Sequence, residues 1–87
     1  ETGVEVLNEW AILDADYGRY QLALDKLNTS LEIDPHWGPT YYAFGLVCQK
    51  MGEVDDAVVA YRKAPELSPK LKQTCESLTE ALLAQPN

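Results

Sequence analysis

The residues of this chain that could do acid–base or metal chemistry are a single histidine and two acidic pairs. His36 lies in a stretch that we expect to be a loop, without the nucleophile and the orienting group that a catalytic base needs. Asp14 with Asp16, or Asp55 with Asp56, could bind a metal ion or divide acid and base roles. Helix caps and a solvated surface explain both pairs more simply. We therefore expect no enzymatic activity, no cofactor and no metal site.

Two cysteines could carry thiol chemistry. Cys48 and Cys75 show no CxxC spacing, so neither a disulfide framework nor a zinc site is indicated. We expect both to be small buried hydrophobic residues, which favours a reducing intracellular compartment. The triplet "NTS" at Asn28 matches the glycosylation pattern, but it lies inside a helical stretch and carries little weight.

The charge balance excludes some classes of partner. Seven basic against fourteen acidic residues give a net charge of −7, whereas a phosphate-backbone binder needs clustered Lys and Arg. The aromatic residues lack the basic neighbours that accompany base stacking, and an acidic surface does not adhere to anionic lipid. The apolar runs span only a few residues, far short of the roughly 18 of a membrane helix. We expect neither nucleic acid nor a membrane as the direct partner.

The elements that position these residues come from an internal repeat. Within 87 residues, one domain at most is expected; the chain lacks an initiator Met, so we expect it to be part of a larger protein, and residues 1–3 could be foreign to it. Sliding the chain on itself by 34 residues superposes three pairs that are small or that break helices: Gly18 on Gly52, Ala23 on Ala57, and Pro35 on Pro69. Such coincidences mark equivalent turns, so the chain is predicted to be a tandem repeat.

Each repeat is predicted to contain two helices, and a fifth helix follows. Apolar residues recur at helical spacing in five stretches. Thr2 is the expected cap of the first helix, Gly18 and Gly52 the expected ends of the first and third. Pro65 falls inside the fourth helix, which we expect to kink or to end early there. Ser68 and the proline after it are expected to cap and begin the fifth.

This pattern resembles the tetratricopeptide repeat family, whose signature is W-x2-L-G-x2-Y…A-x3-F…P. The signature positions of the second repeat hold Tyr41, Phe44, Gly45, Cys48, Ala57, Tyr61, Ala64 and Pro69. Those of the first repeat hold Leu7, Trp10, Ala11, Asp14, Ala23, Leu27, Ser30 and Pro35. The first repeat departs from the family at Asp14, where a large apolar residue is usual.

The resemblance implies an all-α fold, a short right-handed solenoid of helix-turn-helix repeats with five helices. Residues 1–87 would form a single domain, with repeat one at about 4–37, repeat two at about 38–71 and a capping helix at about 70–84. Gly45, Ala57 and Ala64 would be small because the helices of this family cross closely. Catalysis needs no part in explaining them.

The resemblance also implies a binding surface, because the first helix of each repeat lines the concave face of such a solenoid. The expected partner-binding residues are Glu5, Asn8, Glu9, Ile12, Tyr42, Leu46, Gln49, Glu76 and Glu80. Ile12, Tyr42 and Leu46 could form an apolar strip rimmed by carboxylates. Such a strip suits an amphipathic or basic helix, or an extended peptide. The alternative is that Ile12 and Leu46 are buried by neighbouring helices.

One function of the family is not expected. Members that receive chaperone tails clamp a C-terminal carboxylate with Lys, Asn and Arg on the concave face. The matching positions hold Asn8, Ile12, Ala43, Gln73 and Ser77, of which none is basic, so we expect no carboxylate clamp.

Two functional hypotheses follow. The first is a protein–protein interaction module, a scaffold or adaptor that presents a groove to a peptide or helix. The second is a structural spacer or homo-oligomerisation segment of a larger protein, which two repeats favour because about three are usually needed for a stable array. Enzymatic function would require a catalytic domain elsewhere in a longer protein.

Overall fold

The computed structural model describes residues 3–85, and within that range the chain is all-α, as predicted. The five α-helices are α1 (Gly3–Asp16), α2 (Tyr20–Ile33), α3 (Gly38–Met51), α4 (Val54–Leu67) and α5 (Lys72–Leu83). One 3₁₀ turn, Pro69–Leu71, precedes α5. The expected cap Thr2 lies outside the described residues.

The turn within each repeat has the same backbone geometry in both copies. Gly18 and Gly52 adopt φ values of 78° and 83°, which glycine reaches without steric cost. The N–H of Arg19 donates to the carbonyl of Asp14 at 2.8 Å, and the N–H of Glu53 to that of Cys48 at 2.9 Å. These bonds, six residues to one, are those of the Schellman motif. The predicted ends of α1 and α3 are confirmed.

The turns that follow α2 and α4 are also equivalent. The N–H of Asp34 donates to Ser30 at 2.9 Å, and that of Ser68 to Ala64 at 2.8 Å. The early end predicted at Pro65 is wrong: α4 continues to Leu67. Pro65 cannot donate a hydrogen bond to the carbonyl of Tyr61, but it lies in the last turn of α4 and only two helical residues follow it.

The start of α5 differs from the prediction. Ser68 makes no side-chain capping hydrogen bond, and Pro69 begins the 3₁₀ turn rather than the helix itself. The α-helix therefore starts at Lys72, three residues after Pro69, which was expected to begin it. This turn lies between α4 and α5, so it sets how α5 packs.

Two clusters of buried side chains hold the helices together. The first joins α1, α2 and α3 through Ala11, Ala15, Ala23, Leu27, Ala43 and Val47. The second joins α4 to α5 through Ala57, Val58, Tyr61, Ala64, Cys75 and Leu82, with half-buried residues of α3 packed against it. The helices form a thin slab with extents of 38 × 30 × 15 Å, so most helices keep one face open to solvent.

Close helix crossing explains the small residues of repeat two, as predicted. A Cβ atom on Gly45 would overlap the ring of Tyr61, and Ala57 and Ala64 are completely buried. Tyr61 is itself completely buried, so its ring cannot move aside without opening the core. The ring of Tyr61 on α4 therefore packs directly against the backbone of Gly45 on α3.

Candidate interaction surfaces

The predicted groove residues of α1 separate into two groups. Glu5 and Glu9 are exposed, whereas Ile12 is half-buried and packs against the first core cluster. Asn8 is buried, and its Nδ2 donates to the Oγ1 of Thr40 on α3 at 3.1 Å. Asn8 was expected on an accessible groove, and that expectation is wrong: its amide is used to join α1 to α3.

The predicted groove residues of α3 pack against α4. The ring centroids of Tyr42 and Tyr61 are 6.1 Å apart, and the hydroxyl of Tyr61 donates to the Oε1 of Gln49 at 2.8 Å. Leu46 is half-buried against the second core cluster. The apolar character of Tyr42 and Leu46 thus has a packing role, which was the alternative left open by the sequence.

The predicted groove residues of α5, Glu76 and Glu80, are exposed and line a different surface. We call it the α4–α5 cleft. It has a volume of about 660 Å³ and is lined on the α4 side by Tyr61, Arg62, Pro65 and Glu66. Neither Tyr42 nor Leu46 belongs to its lining, so the structure does not bring all the predicted groove residues onto one surface.

A second open surface lies between α2 and α4, over α3; we call it the α2–α4 cleft. It has a volume of about 510 Å³. Its apolar lining comprises Leu24, Leu31, Tyr41, Phe44, Met51 and Val59, and its charged lining Glu53, Asp56 and Lys63. The sequence analysis did not predict this surface, because Tyr41 and Phe44 were considered only as signature residues of the repeat. Val59 is two-thirds exposed on α4, and nothing in its residue type distinguishes it from the buried Val58 beside it.

The third surface is the outer face of α1. Four apolar residues along it keep about half or more of their area exposed: Val6 (48%), Trp10 (57%), Leu13 (50%) and Tyr17 (69%). Trp10 occupies the same signature position as Phe44, yet Trp10 is exposed and Phe44 is half-buried. The equivalent residues of α3 are Thr40, Phe44, Val47 and Met51, which are half-buried or buried because α1 and α2 pack beside them.

Cations accompany the aromatic residues of this outer face. The Nζ of Lys26 lies 6.0 Å from the centroid of the Trp10 ring, and the guanidinium of Arg19 lies 5.4 Å from that of Tyr17. Both cations also reach Asp14, at 2.6 Å from Lys26 and 3.8 Å from Arg19. The face is therefore apolar with charged groups at one side.

The residues considered for catalysis occupy ordinary structural positions. His36 is exposed, and its backbone N–H donates to the Oδ1 of Asp34 at 3.0 Å. Asp55 and Asp56 lie in the first turn of α4, where the helix dipole favours them. Within residues 3–85, no three His, Cys, Asp or Glu side chains are grouped so as to hold a metal ion.

Cys75 and Tyr61 are buried, whereas Cys48, which was expected to be buried, is only half-buried. The pKa of each of these three groups is raised, which favours its neutral form. Burial raises the pKa of Cys48, and the nearby carboxylates of Asp56 and Glu53 raise it further. Burial also raises the pKa of the Cys75 thiol. The pKa of Tyr61 is raised well above its usual range by burial first and then by Tyr42. A reactive thiolate needs the opposite shift.

Comparison with protein-family models, with curated proteins and with solved structures found no match to this chain. The resemblance to tetratricopeptide repeats therefore rests on the residues and the repeat geometry alone. Of the helices described, none combines the length and apolar character that a bilayer crossing demands.

Proposed function

We propose that the chain is a protein–protein interaction module of the tetratricopeptide type, which binds a helix or peptide of a partner protein. The observation that carries this proposal is the α2–α4 cleft. Its walls are apolar side chains of three helices, and its few charged groups lie among them. Small-molecule and peptide sites have this composition, with apolar area for affinity and a few polar groups for orientation.

The apolar lining and the charges of the α2–α4 cleft favour a helical partner. Leu24 and Leu31 lie about two helical turns apart on α2, and Phe44 and Val59 line the same cleft, so apolar side chains spaced one or two turns apart on a partner helix could enter together. Glu53 and Asp56 line the cleft and favour a partner with Lys or Arg beside its apolar face, whereas Lys63 is the one basic residue of the lining.

Affinity capture with matched variants tests this function. Val59→Glu places a charge in the α2–α4 cleft without disturbing buried residues, since Val59 is largely exposed. Leu22→Glu makes the same kind of change at an exposed apolar residue of α2 that does not line the cleft. Each purified chain is used as bait, circular dichroism confirms its helical content, and mass spectrometry identifies the captured proteins.

The expected result is a protein captured by the wild type and by Leu22→Glu but lost from Val59→Glu. That protein is then purified, and its affinity for the three chains is measured. Capture by all three chains, or by none, would count against the α2–α4 cleft as the binding surface.

A second candidate function is self-association, and the exposed face of α1 favours it. Val6, Trp10, Leu13 and Tyr17 form one continuous helical stripe, and exposed apolar stripes of this kind commonly mark protein contacts. Sedimentation velocity of the wild type and of Trp10→Glu/Leu13→Glu tests it. A wild-type dimer that the double variant abolishes would support self-association, and a wild-type monomer at all concentrations would reject it.

A further inference from the structure

The way α4 packs on α3 defines what should pack on α5. Tyr61 of α4 packs over Gly45, contacts the tilted ring of Tyr42 and donates a hydrogen bond to Gln49, while Leu46 packs on the same cluster. These α3 residues together form the seat of α4. The seat therefore consists of side chains at spacings of three and four along one face of a helix.

The same face recurs on α5 at the 34-residue offset. The equivalents of Tyr42, Gly45, Leu46 and Gln49 are Glu76, Thr79, Glu80 and Leu83. All four line the α4–α5 cleft. Three of them are exposed, Leu83 by 60%, in contrast to their half-buried equivalents on α3. In residues 3–85 this seat has no helix in it.

The side chains of the seat differ between the two helices at all four positions: Thr79 stands in place of Gly45 and Leu83 in place of Gln49, and the other two changes introduce charge. Tyr42 and Leu46 are replaced by the carboxylates of Glu76 and Glu80, and Glu66 adds a third carboxylate to the cleft. None of the ion pairs found among the described residues involves Glu76 or Glu80. Both carboxylates are thus open to a cationic partner.

We infer that the α4–α5 cleft is the seat of a basic amphipathic helix from a partner protein, held by Lys or Arg side chains opposite Glu76 and Glu80. This inference rests on the proposed interaction function and assigns it a second surface. Its apolar part would contact Pro65 and Leu83, the accessible apolar residues of the cleft lining. A wholly apolar helix would instead desolvate two carboxylates without pairing them.

Charge complementarity is what selects this occupant. Arg62 and Lys72 also line the cleft, so it is not uniformly acidic, but three carboxylates face two cations there and the whole chain carries a net charge of −7. The stems of Lys or Arg can lie along the apolar walls while their cationic ends reach the carboxylates. A second copy of this acidic chain is a poorer match.

The test uses a synthetic helix built from the natural occupant of the equivalent seat. The probe is a fluorescent peptide with the sequence of residues 54–67, carrying Val58→Lys and Tyr61→Lys and held helical by a staple on its outer face. Val58 and Tyr61 belong to the buried face of α4, while Ala57 and Ala64 are kept for close approach. The control probe carries Val58→Glu and Tyr61→Glu. Binding to the full chain is measured by fluorescence anisotropy at low salt.

Two matched variants of the chain locate the binding. Glu76→Gln/Glu80→Gln removes both carboxylates of the seat, and Glu5→Gln/Glu9→Gln removes two exposed carboxylates of α1, so the net charge changes equally. We expect the lysine probe to bind the first variant about tenfold more weakly than the wild type, as the loss of two partly exposed ion pairs implies. Its affinity for the second variant should be unchanged, and the glutamate probe should not bind the wild type.

Three outcomes would overturn the inference: equal weakening in both variants, which indicates diffuse charge attraction; no preference for the lysine probe; or probe-induced shifts of the wild-type amide resonances that avoid Cys75 and Thr79. The amide shifts need no variant and so remain decisive if either variant folds poorly. Failure of the probe leaves capture at the α2–α4 cleft intact, so the inference and the proposed function fail separately.

Discussion

The ammonium group of Lys26 lies 2.6 Å from the carboxylate of Asp14, and this ion pair joins α2 to α1. Only 13% of the Asp14 side chain and 25% of the Lys26 side chain are exposed. In repeat two the equivalent residues are Cys48 and Ala60, which are uncharged. The pair therefore explains how a carboxylate is tolerated at the position where repeat one departs from the tetratricopeptide signature that the chain resembles.

Asp14→Ala should lower the free energy of unfolding by about 1–2 kcal/mol, between the values for exposed and fully buried pairs. The reason is that Lys26 would keep its charge in a partly buried site after losing its nearest carboxylate. Urea denaturation followed by circular dichroism measures the change.

The matched control is the double variant Asp14→Ala/Lys26→Ala, which removes both charges. We expect the double variant to lose less stability than the sum of the losses in Asp14→Ala and Lys26→Ala, because removing both charges leaves no unpaired ion in the partly buried site. Strict additivity would show that the two residues do not interact.

Gly45→Ala should destabilise the chain by about 1–3 kcal/mol through overpacking. Alanine would normally be favoured over glycine in a helix by about 1 kcal/mol, but here its Cβ would overlap the ring of Tyr61. Thermal and urea denaturation would both report the loss.

Gly3→Ala is the control for helix propensity, because a Cβ at that position meets nothing within 4 Å. It should be neutral or slightly stabilising. If Gly45→Ala behaved like Gly3→Ala, the tight crossing of α3 and α4 would be refuted.

The features of the fold that sequence predicted are those fixed by local chemistry. Gly18 and Gly52 end their helices because the left-handed conformation is available to glycine. Gly45 marks the close crossing because no other residue leaves room for the ring of Tyr61. Each of these inferences needs only one residue and its immediate neighbours.

The arrangement of the surfaces was not predictable in the same way. Trp10 and Phe44 occupy the same signature position. Phe44 packs against a core cluster that includes residues of α2, whereas Trp10 is exposed because no helix of the described residues covers that face of α1. The predicted groove residues do not lie on one surface because α5, which follows a 3₁₀ turn, packs mainly on α4. Glu76 and Glu80 also occupy the positions that Tyr42 and Leu46 hold on α3. Helix packing of this kind depends on many contacts at once.

Pro65→Ala should raise the free energy of unfolding by about 1–2 kcal/mol. The substitution supplies an N–H that can donate to the carbonyl of Tyr61 and removes a ring that crowds the preceding turn. The gain is smaller than at a helix centre because α4 ends two residues later, at Leu67. Pro69→Ala is the control, since Pro69 begins a 3₁₀ turn where no N–H is required. Equal effects of the two substitutions would contradict the prediction.

The stability of the chain should fall as the pH rises above about 9–10, and Tyr61 should cause a measurable part of that fall. Its phenol is buried and donates to Gln49, so its pKa is raised in the folded state above the usual value of about 10. The folded chain then holds this proton more strongly than the unfolded chain. The stabilisation is complete below the unfolded pKa and is lost as the pH rises towards the folded one.

Tyr61→Phe separates this contribution from those of Cys48 and Cys75, whose raised pKa values act in the same direction from about pH 9. Melting temperatures measured from pH 7 to pH 11 should decline less steeply above pH 10 in Tyr61→Phe than in the wild type. At pH 7 the variant should be less stable by about 1 kcal/mol, because Gln49 loses its hydrogen-bond donor. Tyr17→Phe, at an exposed residue, should keep the full alkaline decline. Parallel curves for all three chains would mean that Tyr61 ionises as easily in the folded chain as in the unfolded one, and that its burial does not control its proton.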